Sequence, residues 1–273
     1  MKKREAAEPE PFLRRVEPWC VGACSRFLKP GSGKDQVWLL RNRDGVASAL
    51  LLYSRRTLFP VFGGRTDIPL SCFIRRHFRG VRFHAVQGCR NEALAVEAAL
   101  AEMGFSAVDI IDYDLMTLDA EPAAGGFRCG PPGLILRRPD VMDAGALFEL
   151  QAAYEKEEII PKGGVFNPAA CRLNLQRILK EELILSAEME GRPVGKINTS
   201  ARSFTRCQIG GVYVHPDYRG LGIARRMTAE FIRPLISGGW GITLFVKKKN
   251  AAARAVYQNL GFRLLGDYRI SYY

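Results

Sequence analysis

In the second half of the chain the spacing of apolar positions changes several times, and each change marks an element. "LILRRP" (134–139) reads as a strand. "DAGALFELQAAYEKEEI" (143–159) and "AACRLNLQRILKEE" (169–182) read as helices, the second with Leu173, Ile178 and Leu179 sharing an apolar side. "LILSAEMEGRPVGKINTSA" (183–201) reads as two strands around the turn signal "EGRP", and "FTRCQIGGVYVH" (204–215) as a third. "GIARRMTAEFIRPLI" sets Ile223, Met227, Phe231 and Leu235 on one helical face. The strand "GITLFV", the helix "NAAARAVYQNLGF" and the strand "RLLGDYRISYY" close the chain. Meander strands followed by strand–helix–strand–helix–strand predict an α/β domain, an α+β arrangement on one open mixed sheet.

The first half echoes this pattern. "ALAEMGFSAVDIIDY" (99–113) resembles "VYQNLGFRLLGDYRI" (256–270), a helix closed by Gly-Phe and then a strand, and "VWLLRNRDGVASALLLY" has the hairpin look of "LILSAEMEGRPVGKI". Two related domains in tandem would explain the echo, as would any α/β chain with repeated helix–Gly-Phe–strand units. Between the halves, "DAEPAAGGFRCGPPG" (119–133) gathers glycines and prolines without periodicity and reads as a linker. The expected organisation is an N-terminal domain over 1–118, a linker over 119–133 and a second domain over 134–273.

Composition narrows the setting. The chain has 273 residues, 47% hydrophobic and 25% charged, the balance of a globular protein. The net charge is +12, of which the part after residue 133 carries about +8, so an anionic partner is expected there. No apolar run approaches the roughly 18 residues of a membrane-crossing helix, and the basic start lacks the apolar stretch of a secretory signal. Seven scattered cysteines suit reduced thiols better than a disulfide framework. A cytoplasmic protein is the expectation, with no metal, since Cys20 and Cys24 lack a second nearby pair and the three histidines are dispersed. "PGSGKD" (30–35) misses two positions of a phosphate-binding Walker loop. "FIRRHFRGVRFH" (73–84) interleaves arginines with aromatics, as single-strand nucleic-acid binders do, yet buried phenylalanines with solvated arginines explain it more simply.

Two motifs carry chemistry. In "VYVHPDYRGLGIARR" a strand runs through Val212, Tyr213 and Val214 into Arg219, Gly220, Leu221, Gly222, Ile223, Ala224 and Arg225, where a helix starts. Glycines let the backbone approach a ligand, and the first amides of a helix, with its dipole, favour a pyrophosphate. The dinucleotide pattern G-x-G-x-x-G is not met, because Arg225 holds the third glycine position. Downstream, Asn250, Ala253 and Tyr257 lie three and four residues apart on one helical face, ahead of Gly261-Phe262. A phenol there could protonate a leaving thiolate, and the asparagine could bond an amide-bearing ligand.

Taken together, the two motifs resemble the GNAT superfamily of N-acetyltransferases. "RGLGIA" is similar to that superfamily's R/Q-x-x-G-x-G/A pyrophosphate loop, and "VKKKNAAARAVYQNLGF" to its coenzyme-binding helix. More narrowly, "YEKEEIIP", "VGKINTSA" and "CQIGGVYVHPDYRG" resemble bacterial tandem-GNAT proteins, in which Lys196 and Gln208 match positions without an assigned role.

The resemblance implies the GNAT acyl-CoA N-acyltransferase fold, two GNAT-like domains in tandem, and a sheet that splays at its fourth and fifth strands to admit acetyl-CoA. It implies direct acetyl transfer to a primary amine, with a β-bulge freeing amides near Val212 and Val214 to hold the pantetheine arm and stabilise an oxyanion. Residues 219–225 would then hold the pyrophosphate, Asn250 would lie near the pantetheine arm, and Tyr257 would be the general acid. Glu157 and Glu158 are candidate bases, with His215 or a relayed water as alternatives. The N-terminal domain reads as degenerate, since Leu100 and Ala93 stand where Tyr257 and Asn250 would be.

The acceptor is expected to be a small-molecule amine or a peptide or protein amine. No membrane partner is expected, nucleic acid is disfavoured, and a homodimer is left open. The competing readings are a non-catalytic acyl-CoA-binding or regulatory module and a nucleic-acid-associated acetyltransferase.

Overall fold

The computed structural model of the chain describes residues 8–30, 35–42, 44–63, 70–122 and 130–273. Residues 31–34 of "PGSGKD" and 123–129 of the expected linker lie outside them. The chain divides into two units that do not follow chain order. One comprises Met1–Leu115, Phe245–Lys248 and Leu264–Tyr273, the other Met116–Leu244 and Lys249–Arg263.

The first unit opens with helices α1 (Pro9–Val16) and α2 (Val21–Leu28), then strands β1 (Gln36–Arg41), β2 (Ala47–Ser54) and β3 (Thr57–Val61). Helix α3 (Leu70–Phe78), strand β4 (Ala85–Cys89), helix α4 (Arg90–Ala101) and strand β5 (Asp109–Leu118, up to Leu115) follow. The strand order is β1-β2-β3-β4-β11-β5, where β11 is the chain's last strand (Arg263–Tyr272). β11 pairs antiparallel with β4, from Tyr268↔Cys89 to Tyr272↔Ala85. β3 and β4 are parallel but pair only at Thr57↔Ala85 and Leu58↔Val86. Two residues further on stands Pro60, which has no N–H to give a ladder. Leu51, Leu58, Phe62, Ile74, Phe78, Val86 and Leu100 form the core, each large side chain contributing about 2 kcal/mol by leaving water. Phe78 and Phe83 of the arginine–aromatic segment are buried, while Arg75, Arg76, Arg79 and Arg82 face outward. Phe73, the other phenylalanine of the segment, is half-buried.

The second unit holds β6 (Ile135–Arg137), α5 (Ala144–Tyr154), a π turn (Glu155–Ile159) and α6 (Pro168–Glu181). Strands β7 (Ile184–Met189), β8 (Arg192–Arg202) and β9 (Arg206–Val214), helix α7 (Ile223–Ser237), strand β10 (Gly241–Lys247, up to Leu244) and helix α8 (Ala251–Asn259) complete it. The strand order is β10-β9-β8-β7-β6. The β7–β8 hairpin turns over Glu190 and Gly191, at φ 50° and 75°, as "EGRP" predicts. Asn167 caps α6, its Oδ1 accepting from the Ala170 amide at 3.0 Å, with Pro168 at the first helical position. Ile178 and Leu179 are buried as expected, but Leu173 is 68% exposed. At 3.6 residues per turn, offsets of five and six residues carry Leu173 round to the opposite side; Cys171 and Leu175 are the buried partners. Ile223, Met227, Phe231 and Leu235 of α7 are all buried.

Each half of the chain therefore runs through the same succession: an antiparallel three-strand meander, a helix, a parallel strand, a helix and a strand. The architecture is the mixed α/β one expected from the sequence.

Candidate active site

The irregular part of β9 lies at its glycine pair. Against β8 the register runs Gly195↔Val214 and Lys196↔Tyr213, then jumps to Asn198↔Gly210, so Gly211 and Val212 together oppose Ile197. This is a β-bulge. Gly211 takes φ +60°, a conformation that glycine adopts without steric cost. On its other edge β9 pairs parallel with β10 from Gly241↔Arg206 to Leu244↔Ile209, and the register ends there. Residues 210–214 thus leave the β10 ladder. The His215 amide donates to the Val194 carbonyl on β8 at 2.8 Å. By strand alternation, the backbone groups of Val214 face the opposite edge. There the Val214 carbonyl accepts from Arg219 Nε at 3.0 Å.

Arg219 ties the following turn to the end of α5. Its guanidinium donates to Glu157 Oε2 at 2.9 Å and lies 5.3 Å from the centre of the Tyr213 ring. The Tyr213 hydroxyl donates to Glu157 Oε1 at 2.5 Å. Burial, and then Glu157, push the Tyr213 phenol up to about 12. Both oxygens of Glu157 are therefore engaged in holding the turn. Beyond it, Gly220 and Gly222 take φ 80° and 77°, and Gly222 is the N-cap of α7 without any side-chain cap. The first amides of α7, at Ile223, Ala224 and Arg225, have no carbonyl a turn earlier to bond. A Cβ at Gly220 would meet nothing within 4 Å, so the approach is open. Leu221 is half exposed, and Arg225 Nε is buried with no hydrogen-bond partner among the described residues. An orphaned cationic donor beside bare helix amides fits a phosphate group.

Asn250 is the N-cap of α8, its Oδ1 accepting from the Ala253 amide at 3.0 Å. That leaves the amide nitrogen as the end able to meet a ligand. Tyr257, two turns along, is buried. Burial first, then the charges of Tyr154 and Glu158, raise its phenol above the ordinary tyrosine value, so it keeps its proton at neutral pH. Tyr154, at the end of α5, accepts from the Gly211 amide at 3.2 Å. Tyr257, Tyr154, Glu158 and the bulge thus act on one another. His215 Nδ1 accepts from the Asp217 amide at 3.4 Å within its own turn. The structure therefore separates the two glutamates, Glu157 on Arg219 and Glu158 within electrostatic reach of Tyr257. Tyr154 was missed by the sequence reasoning, because nothing in a helix-ending aromatic distinguishes it from core. In the first unit, Leu100 and Ala93 are buried in an apolar cluster, where the second unit has Tyr257 and Asn250.

Residues 149–262, which contain every site residue just described, match the Acetyltransferase (GNAT) family. Over that stretch the chain is similar to GNAT acetyltransferases. Among solved structures, a GCN5-related N-acetyltransferase from Sphaerobacter thermophilus is 19% identical, with 94% of this chain and 90% of that one covered at TM-score 0.61. A tandem GNAT protein from the clavulanic acid biosynthesis pathway is 16% identical, with 98% and 96% covered at TM-score 0.57. Of a GNAT-family protein from Novosphingobium aromaticivorans, 20% identical, the match spans 65% of its length and 61% of this chain at TM-score 0.46. No curated protein matches the chain. The GNAT fold follows from the first two likenesses, each extending over nearly the whole chain.

Proposed function

We propose that the chain transfers an acetyl group directly from acetyl-CoA to a primary amine. The observation that carries this reading is the convergence, within one unit, of the β9 bulge, the glycine turn into α7 and the buried protonated Tyr257. The glycine turn, the first amides of α7 and Arg225 bind the pyrophosphate. The amide nitrogen of Asn250 bonds the pantetheine arm. Acetyl-CoA supplies an activated thioester carbonyl.

As the amine nitrogen bonds to that carbon and the C–S bond breaks, amides of the bulge take up the charge gathering on oxygen. Tyr257 gives its proton to the departing sulfur. Glu158 receives the proton the amine loses, while Glu157 keeps Arg219 and Tyr213 in place. Holding both reactants in line supplies much of the acceleration. A phenol kept protonated beside the bulge suits turnover better than coenzyme binding alone.

None of the described helices is long and apolar enough to cross a membrane, and we place the reaction in the cytoplasm. The test is a thiol-release screen with acetyl-CoA over a library of small amines, peptides and lysine-bearing proteins. Amine-dependent release that follows a defined acceptor supports the reading, and release no faster than without amine across the library counts against it.

A further inference from the structure

Lys196, on β8, has no part in the steps above, yet it is fully buried at 0% exposure. Its Nζ donates to the Gly211 carbonyl at 3.0 Å and to Asn198 Oδ1 at 3.2 Å, and lies 4.7 Å from the centre of the Tyr154 ring. The Tyr154 hydroxyl accepts from the Gly211 amide. Both backbone groups of Gly211 are thus held by side chains, at the bulge where the regular ladder is broken. The clamp demands glycine, since a Cβ there would collide with Asn198 Oδ1 and lie 2.8 Å from Lys196 Nζ.

The Gly211 carbonyl and the Val212 N–H belong to one peptide unit. A trans peptide is planar, so these two groups point in opposite directions. A grip on the carbonyl from one side therefore aims the Val212 amide to the other. A cation on the carbonyl oxygen also draws electron density through the peptide and makes its N–H a stronger donor. We propose that Lys196 is a positioning residue for acetyl transfer, orienting the Val212 amide through the Gly211 carbonyl and strengthening it toward the charge that develops on the thioester oxygen. This rests on the acetyl-transfer reading.

Burial pulls the Lys196 ammonium down to about 7, against the opposing pull of Glu155 and Cys171. The titratable groups facing it are Tyr154 and Glu155 at the end of α5 and Cys171 on α6; its partners on β8 and β9 are uncharged. Glu155 is itself held by Gln151 at 2.7 Å and Asn174 at 2.9 Å. As pH rises through neutrality the ammonium becomes an amine. It keeps N–H groups for both bonds but loses the charge, so the Val212 donor weakens without leaving its position.

The test begins with the full-length chain labelled with 15N-valine, the Val212 signal being assigned with Val212→Ile. In the wild type the Val212 amide proton shift is expected to move with a midpoint near neutral pH, and in a Lys196→Met chain with the same signal dispersion it is expected to stay flat. A wild-type signal that does not move, or one that moves equally in Lys196→Met, overturns the inference, and neither outcome needs turnover. In turnover, Lys196→Met should lower kcat about tenfold, leave KM for acetyl-CoA within about twofold, and remove a pH dependence near neutrality that Lys196→Arg retains in part. Wild-type kcat at every pH in Lys196→Met would overturn the positioning role while leaving acetyl transfer standing. Failure of the wild type to release thiol with any amine would instead sink the acetyl-transfer reading, and the Val212 titration would still decide the clamp.

Discussion

At the scale of single residues, burial decides what Tyr257 can do. A phenol in water has little reason to hold its proton more tightly than usual; this one does, because its anion would be buried and faces Glu158. Tyr257→Phe keeps the ring and its edge contact with Phe262 at 5.8 Å between centres, so the chain should fold and bind acetyl-CoA as before. Turnover is expected to fall about tenfold or more, measured as kcat on an amine found by the screen, with coenzyme affinity read by calorimetry. Unchanged kcat would remove Tyr257 from the general-acid role. Glu157 teaches the converse. A carboxylate near the site reads in sequence as a candidate base, but its bonds to Arg219 and Tyr213 give it structural work.

Elements set the direction in which residues act. α8 begins on Asn250, whose oxygen caps the helix, leaving its nitrogen as the end able to meet a ligand. Asn250→Ala removes both functions and should cost about 1 kcal/mol of stability. Asn250→Asp keeps a capping oxygen, so its melting temperature should stay near wild type while its acetyl-CoA affinity falls. Equal affinities for Asn250→Asp and the wild type would leave Asn250 a cap alone. α7 begins on Gly222 at positive φ, and Gly222→Asp would place a carboxylate against the bare amides that favour phosphate. Acetyl-CoA binding should weaken at least tenfold, roughly the effect of 1.4 kcal/mol. Undiminished affinity in a titration would take the pyrophosphate away from this turn.

Across the whole molecule, both the first and the last segments of the chain belong to the first unit. β11 closes the sequence, yet its residues from Leu264 onward belong to the first unit, where they pair with β4. Tyr268 and Ser271 are buried there, and Arg269 donates twice to Asp112, at 2.7 and 2.9 Å. A chain ending at Phe262 should lose protection from hydrogen exchange along β4, with ~3 kcal/mol or more lost with Tyr268 alone. Unchanged protection at Ala85–Cys89 would show that β11 is dispensable to the first unit. Most of the elements of the second half, the glycine turn and the α8 face were legible along the chain, because these depend on local spacing and on the torsions glycine allows. The family resemblance added a bulge freeing amides near Val212 and Val214, and the register breaks at Gly211 and Val212. That β11 belongs with the first unit, that Glu157 is tied and Glu158 acts on Tyr257, and that Lys196 and Tyr154 hold Gly211 emerged with the folded chain. Those facts depend on which distant segments share a neighbourhood and how deeply each charge is buried, and neither is written in the spacing of residues along the chain.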